Sequence, residues 1–120
     1  MDLIIGGAYQ GKLAYAREQF HLTDDDLGVC SRETGADFSR RCLVRFEEYV
    51  LWALRNGTDG TLPPLRDDAV VLCRDLFCGV VPADAETRAW REAAGRTLAA
   101  LAARADTVTR VFCGLPQRLK

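Results

Sequence analysis

The sequence contains no apolar run of the roughly 18 residues that a membrane-crossing helix needs. Its opening, Met1-Asp2-Leu3-Ile4-Ile5-Gly6, carries no basic segment ahead of its short apolar stretch. Neither a membrane span nor a secretory leader is expected. A basic excess is also missing, since 16 Lys+Arg stand against 17 Asp+Glu for a net charge of −1, and the arginines are scattered. Binding along a nucleic acid needs clustered cations to neutralise phosphates, so no nucleic-acid partner is expected. The cysteines Cys30, Cys42, Cys73, Cys78 and Cys113 include no C-x-x-C pair and sit mostly among apolar residues. That pattern excludes the usual zinc spacings and reads as reduced packing thiols of a cytoplasmic protein. Histidine occurs once, as His21, just past the first predicted helix, where a surface role is expected. There is no internal repeat, linker or low-complexity tract, so residues 1–120 are expected to form a single domain, long enough for one core without metal or disulfide staples.

What is present is an alternation of apolar runs and helical spacings. Leu3 to Ile5 reads as a buried strand that ends in Gly6-Gly7. Leu13, Ala16 and Phe20 then share one face of a helix over 12–20. Leu27 to Cys30 suggests a brief second strand. Asp37 and Ser39 are candidate caps for a helix carrying Leu43, Phe46, Val50 and Leu54 on its apolar face, with Arg40, Arg41, Arg45, Glu47, Glu48 and Arg55 turned to solvent and Asn56-Gly57 ending it. Ala69 to Cys73 is unalternated and apolar, as in a parallel strand covered on both faces. Asp84 caps a long helix to about Ala105, with Trp90, Ala94, Leu98 and Leu101 along one side. Val108 to Cys113 makes a last strand, Gly114-Leu115-Pro116 a turn, and Gln117 to Lys120 a basic tail. This order predicts a three-layer α/β domain with a mostly parallel sheet.

Gly6-Gly7-Ala8-Tyr9-Gln10-Gly11-Lys12 matches G-x-x-x-x-G-K and stands between a predicted strand and helix. Glycines allow successive backbone N–H groups to turn inward around a phosphate, the helix N-terminus adds partial positive charge, and Lys12 adds a full one. The alternative is a purely structural glycine turn. Leu13 occupies the position where a Ser or Thr hydroxyl ordinarily ligates Mg²⁺, and leucine cannot hold a metal. It equally suits packing of the helix on the sheet. Asp75 follows the central strand at its carboxyl end, where open α/β sheets bind ligands. It is the candidate carboxylate for positioning Mg²⁺ or accepting a proton, against the reading of a solvated loop aspartate. Arg88, Arg91 and Arg96 line the polar side of the long helix, within reach of an anion or simply solvated.

Three segments together resemble the adenosylcobinamide kinase / adenosylcobinamide-phosphate guanylyltransferase family. They are Leu3 to Lys12, then Gly79-Val80-Val81-Pro82 with Arg88, Ala94-Gly95-Arg96 and Ala102 to Asp106, and finally Val111 to Lys120. The resemblance implies a P-loop fold, GTP or ATP with Mg²⁺ as cofactors, and phosphorylation of the aminopropanol hydroxyl of a corrinoid substrate. It implies roles for Lys12 and Asp75 in catalysis and for Gly6, Gly7, Ala8, Tyr9, Gln10, Gly11, Lys12 and Leu13 in holding the nucleotide, with Asp75 at the metal. The family's transferase step passes through a guanylylated histidine in a segment that is shortened here and holds no histidine after His21, so the resemblance supports the kinase step alone. A catalytically inactive nucleotide- or corrinoid-binding remnant is the competing expectation; Leu13 and the missing histidine favour it, while Lys12 and Asp75 do not. Family members form oligomers, which makes a homo-oligomer an expectation and Phe77, Leu62 and Tyr49 candidate contact residues.

Overall fold

The computed structural model describes residues 1–8, 10–58, 62–75 and 84–120. Within them the chain runs β1 (Asp2–Gly6), α1 (Lys12–Phe20), β2 (Leu27–Val29), β3 (Cys42–Val44), α2 (Phe46–Arg55), β4 (Val70–Arg74), α3 (Ala85–Arg104), β5 (Thr107–Phe112) and β6 (Leu115–Arg118). One six-stranded sheet has the order β2-β3-β4-β1-β5-β6. All neighbours are parallel except β5 and β6.

Successive residues of a strand point to opposite faces, and both faces of the central strands are covered, which is why these runs do not alternate with polar residues. Leu3, Val71, Cys73 and Val108 feed one core cluster, together with Phe46 and Val50 of α2 and Ala94, Leu98 and Leu101 of α3. Ile4, Val70, Leu72 and Val111 feed the other, closed by Ala16 of α1 with Leu13 and Phe20 at its margin. The result is three layers. Burying a residue such as Phe46 or Leu101 completely contributes about 1.5–3 kcal/mol by the transfer term alone. α3 starts where Asp84 predicts it, with the Thr87 N–H donating to the Asp84 carboxylate at 2.9 Å, and ends at Ala105.

Four expectations are corrected. The second helix starts at Phe46, not after Ser39, and Leu43 lies in β3. Asp37 caps nothing; it accepts hydrogen bonds from the Ser39 N–H (3.0 Å) and hydroxyl (2.6 Å) and closes a local turn. Glu47 and Glu48 are buried rather than solvated, at 5% and 7% exposure. Arg32 explains Glu48, donating to both its oxygens at 2.8 and 3.0 Å while lying 5.4 Å from the Trp90 ring centre. The tail is no tail but β6: Cys113 and Gly114 both have positive φ (51° and 74°), the requirement of a two-residue type I′ hairpin turn. Pro116 is tolerated because β6 is the edge of the sheet.

Candidate functional site

The glycine-rich loop occupies the position that its motif requires. β1 ends at Gly6, and α1 begins at Lys12 behind Gly11, whose φ of 89° is a left-handed conformation that favours glycine. Gly6 is fixed by a close approach instead: a Cβ there would lie 2.5 Å from the Val111 carbonyl oxygen of β5. The loop is also fastened from outside. The Cys113 N–H donates to Gln10 Oε1 at 2.6 Å and the Gly114 N–H to the Gln10 carbonyl at 2.9 Å, tying the loop to the β5–β6 turn. Tyr9 lies outside the described residues.

Lys12 Nζ donates to the carbonyls of Gly7 at 2.7 Å and Gly6 at 3.2 Å. Its ammonium thus sits on the loop in front of the carboxyl end of β1. Burial lowers the Lys12 pKa from its ordinary value, the negative charge of Glu47 works against that drop, and the neighbouring Arg74 adds to it. Leu13 does what its chemistry allows, packing at the margin of the α1-side core and lining the same opening.

That opening is a cleft of about 540 Å³. Ala8, Gln10, Gly11, Lys12 and Leu13 form one wall. The other comes from the carboxyl ends of β3 and β4 and the start of α2, namely Val44, Arg45, Glu47, Leu72 and Arg74. Three cations, Lys12, Arg45 and Arg74, therefore face one carboxylate, Glu47. A concave site with surplus positive charge at the carboxyl edge of a parallel sheet suits a phosphorylated ligand. Glu47 is held by accepting the Arg74 N–H at 2.9 Å, while its own carbonyl accepts the Trp90 indole N–H at 2.8 Å. No described ion pair includes it, in contrast to Glu48, which Arg45 meets at 3.2 Å in addition to Arg32.

The expected site residues are not all brought together. Ala8, Gln10, Gly11, Lys12 and Leu13 line the cleft, and Gly6 and Gly7 hold the lysine beneath it. Asp75 is half-buried beside the loop, where its N–H donates to the Gly6 carbonyl at 2.9 Å, but it is not among the described cleft residues. His21 caps the far end of α1 and is exposed. Arg88, Arg91 and Arg96 do not line the cleft. Tyr49 stacks with Trp52 at 5.9 Å and Leu62 packs on the core, so both are core-margin residues; Phe77, Cys78 and Gly79-Val80-Val81-Pro82 lie outside the described residues. Sequence reasoning missed Glu47, Arg45 and Arg74. The rule that selected Asp75, proximity to the carboxyl end of a strand, would have found all three once β3 was recognised. Among the described residues no group of three or more His, Cys, Asp or Glu is placed to hold a metal ion unaided, and no helix is long and apolar enough to cross a membrane.

The family model described as cobinamide kinase / cobinamide phosphate guanyltransferase matches residues 51–119, more than half of the chain. The match runs from the second half of α2 through β4, α3 and β5 to β6 and begins beyond the Gly6–Lys12 loop. No curated protein matches the chain.

Proposed function

The chain belongs to the cobinamide kinase / cobinamide phosphate guanyltransferase family, and from that membership we propose that it binds GTP or ATP at the Gly6–Lys12 loop and phosphorylates the hydroxyl of a cobinamide. The observation that carries this reading is the Lys12 ammonium, bonded to the Gly6 and Gly7 carbonyls at the mouth of a cleft with surplus positive charge. The loop amides and the α1 N-terminus supply partial positive charge. Charged phosphate oxygens are stronger acceptors than peptide carbonyls, so on binding Lys12 exchanges its loop partners for the nucleotide. Arg45 and Arg74 face the same cleft and add to the field.

In the reaction the cobinamide hydroxyl oxygen bonds to the γ-phosphorus while its proton passes to water or a nearby carboxylate, the bond from phosphorus to the bridging oxygen breaks, and nucleoside diphosphate leaves. The transition state is loose, so positioning and charge neutralisation are the main demands on the protein. Mg²⁺, when bound with the nucleotide, supplies part of that neutralisation. The residues fit such an ion in one way: no described cluster would hold it unaided, but a carboxylate together with nucleotide phosphates would. Asp75 beside the loop and Glu47 in the cleft are the carboxylates at hand. The reading is confined to the kinase half of the family's description, because the sole histidine, His21, is exposed at the far end of α1.

The test is incubation of the full chain with GTP or ATP, Mg²⁺ and adenosylcobinamide, with the product followed by mass. Phosphorylated cobinamide is expected, falling about 100-fold or more in Lys12→Ala. Equal turnover by Lys12→Ala would overturn the reading, and nucleotide binding without turnover would replace it with a binding role.

A further inference from the structure

Glu47 is the less compensated of two adjacent buried acids. Its neighbour Glu48 is compensated by two guanidinium groups, from Arg32 and Arg45. Glu47, 5% exposed, takes part in no ion pair among the described residues, and the Arg74 N–H donates to its carboxylate at 2.9 Å. Burying a carboxylate costs several kcal/mol unless a cation or several donors compensate it. Lys12 shares the cleft and its charge acts on Glu47, but its ammonium hydrogen-bonds the loop carbonyls rather than the carboxylate. The arrangement thus presents a held carboxylate across the cleft from the glycine-rich loop, where the other charged lining residues, Lys12, Arg45 and Arg74, are cations.

Facing a bare triphosphate, such a group is a liability, since like charges repel. Facing a triphosphate that carries a divalent cation, it becomes a ligand or an acceptor for the cation's bound water. Magnesium is characteristically held in this way, by one or two carboxylates plus substrate phosphates with its remaining positions filled by water. The loop offers Leu13 where a hydroxyl would otherwise reach the ion, so the requirement passes to another wall of the cleft. We propose that Glu47, rather than Asp75, is the carboxylate through which this chain recognises the divalent cation of its nucleotide. Two features pre-set it for that role. The Arg74 N–H fixes one carboxylate oxygen, and the first turn of α2 places the group at the positive end of the helix dipole. The assignment rests on the nucleotide-binding reading given above.

The experiment measures equilibrium affinity for a fluorescent GTP or ATP analogue with Mg²⁺ and with EDTA, for the wild-type chain, Glu47→Gln and Asp75→Asn. Glutamine keeps an oxygen acceptor for the Arg74 N–H, and circular dichroism checks that each variant is folded. The wild type is expected to bind about tenfold or more tighter with Mg²⁺. Glu47→Gln is expected to lose most of that gain, while binding the metal-free nucleotide as well as the wild type or better because a repelling charge is gone. A merely structural Glu47 would weaken both conditions alike, and that result overturns the assignment. So does a full Mg²⁺ gain in Glu47→Gln, or its loss in Asp75→Asn alone. If the wild type binds nucleotide under neither condition, the nucleotide-binding reading itself fails and this assignment with it.

Discussion

Two adjacent glycines of the Gly6–Lys12 loop make opposite predictions. At Gly6 an added methyl would sit 2.5 Å from the Val111 carbonyl oxygen, about 0.8 Å inside the closest ordinary carbon–oxygen contact of about 3.3 Å. The obstacle is backbone in the neighbouring strand, where Ile4 and Ile5 pair with Thr109 and Arg110. It can yield only by separating β5 from β1. Overpacking of this kind costs about 3 kcal/mol, which for a domain of this size lowers the melting temperature by roughly 12 °C. At Gly7 the nearest atom to an added methyl is Gln10 Cγ, an ordinary contact at 3.6 Å, and φ is not left-handed. Gly7→Ala is therefore expected to stay within about 1 kcal/mol of the wild type, with reduced unfolded-chain entropy offsetting any small crowding. Thermal and urea unfolding followed by circular dichroism compares the two directly. A Gly6→Ala variant melting within about 2 °C of the wild type would refute the steric argument.

Three further outcomes follow from the site and the core. Because burial depresses the Lys12 pKa, its ammonium is lost at lower pH than that of an ordinary lysine, so nucleotide affinity should decline on the alkaline side before exposed lysines titrate; affinity flat to pH 10.5, its unshifted value, would contradict this. Burial pushes the Cys30 thiol up to about 12 and Cys42 to about 11 and raises Cys73 as well, whereas Cys113 is exposed. Iodoacetamide at pH 8 should therefore label Cys113 and spare those three until the chain is unfolded, as peptide mapping would show. Since the folded values lie above the unfolded value of 9.0, stability should be unaffected by these thiols below pH 9 and fall between about pH 9 and 11, by up to about 1.4 kcal/mol per pH unit for each thiol. Arg32→Met should destabilise by about 1–3 kcal/mol in chemical denaturation, because Glu48 keeps only the Arg45 guanidinium; no loss would show that Arg45 suffices.

The elements that could be read from the sequence are those whose cause is local. The β1–loop–α1 unit, the unalternated β4 run and the Asp84 cap each carry their own signal in a few adjacent residues, and each stands where it was expected. β3 was hidden because Leu43, Phe46 and Val50 fall at helical spacing although the chain changes from strand to helix between the first two. The change is made at Arg45, whose φ of 60° costs a non-glycine residue about 1–2 kcal/mol. Nothing in its neighbours announces that conformation. The glutamate pair was misplaced for a related reason: two adjacent acids look solvated, and what keeps them inside comes from Arg32 and Arg74, distant in sequence. The loop half of the site was therefore visible, and its opposite wall, Arg45, Glu47 and Arg74, was not. β6 was concealed by Pro116, which ordinarily argues against a strand and is admissible because, among the described residues, β6 is an edge strand.

A triphosphate lodging in the loop between β1 and α1 is directly observable, because at 13.3 kDa the chain is small enough for amide NMR. Titration with Mg²⁺ and GTP or ATP should shift the amides of Gly7 to Leu13 together with those of Glu47 and Arg74, leave His21 unmoved, and fail to do so in Lys12→Ala. Loop amides that stay in place at saturating nucleotide, or that move equally in Lys12→Ala, would contradict it.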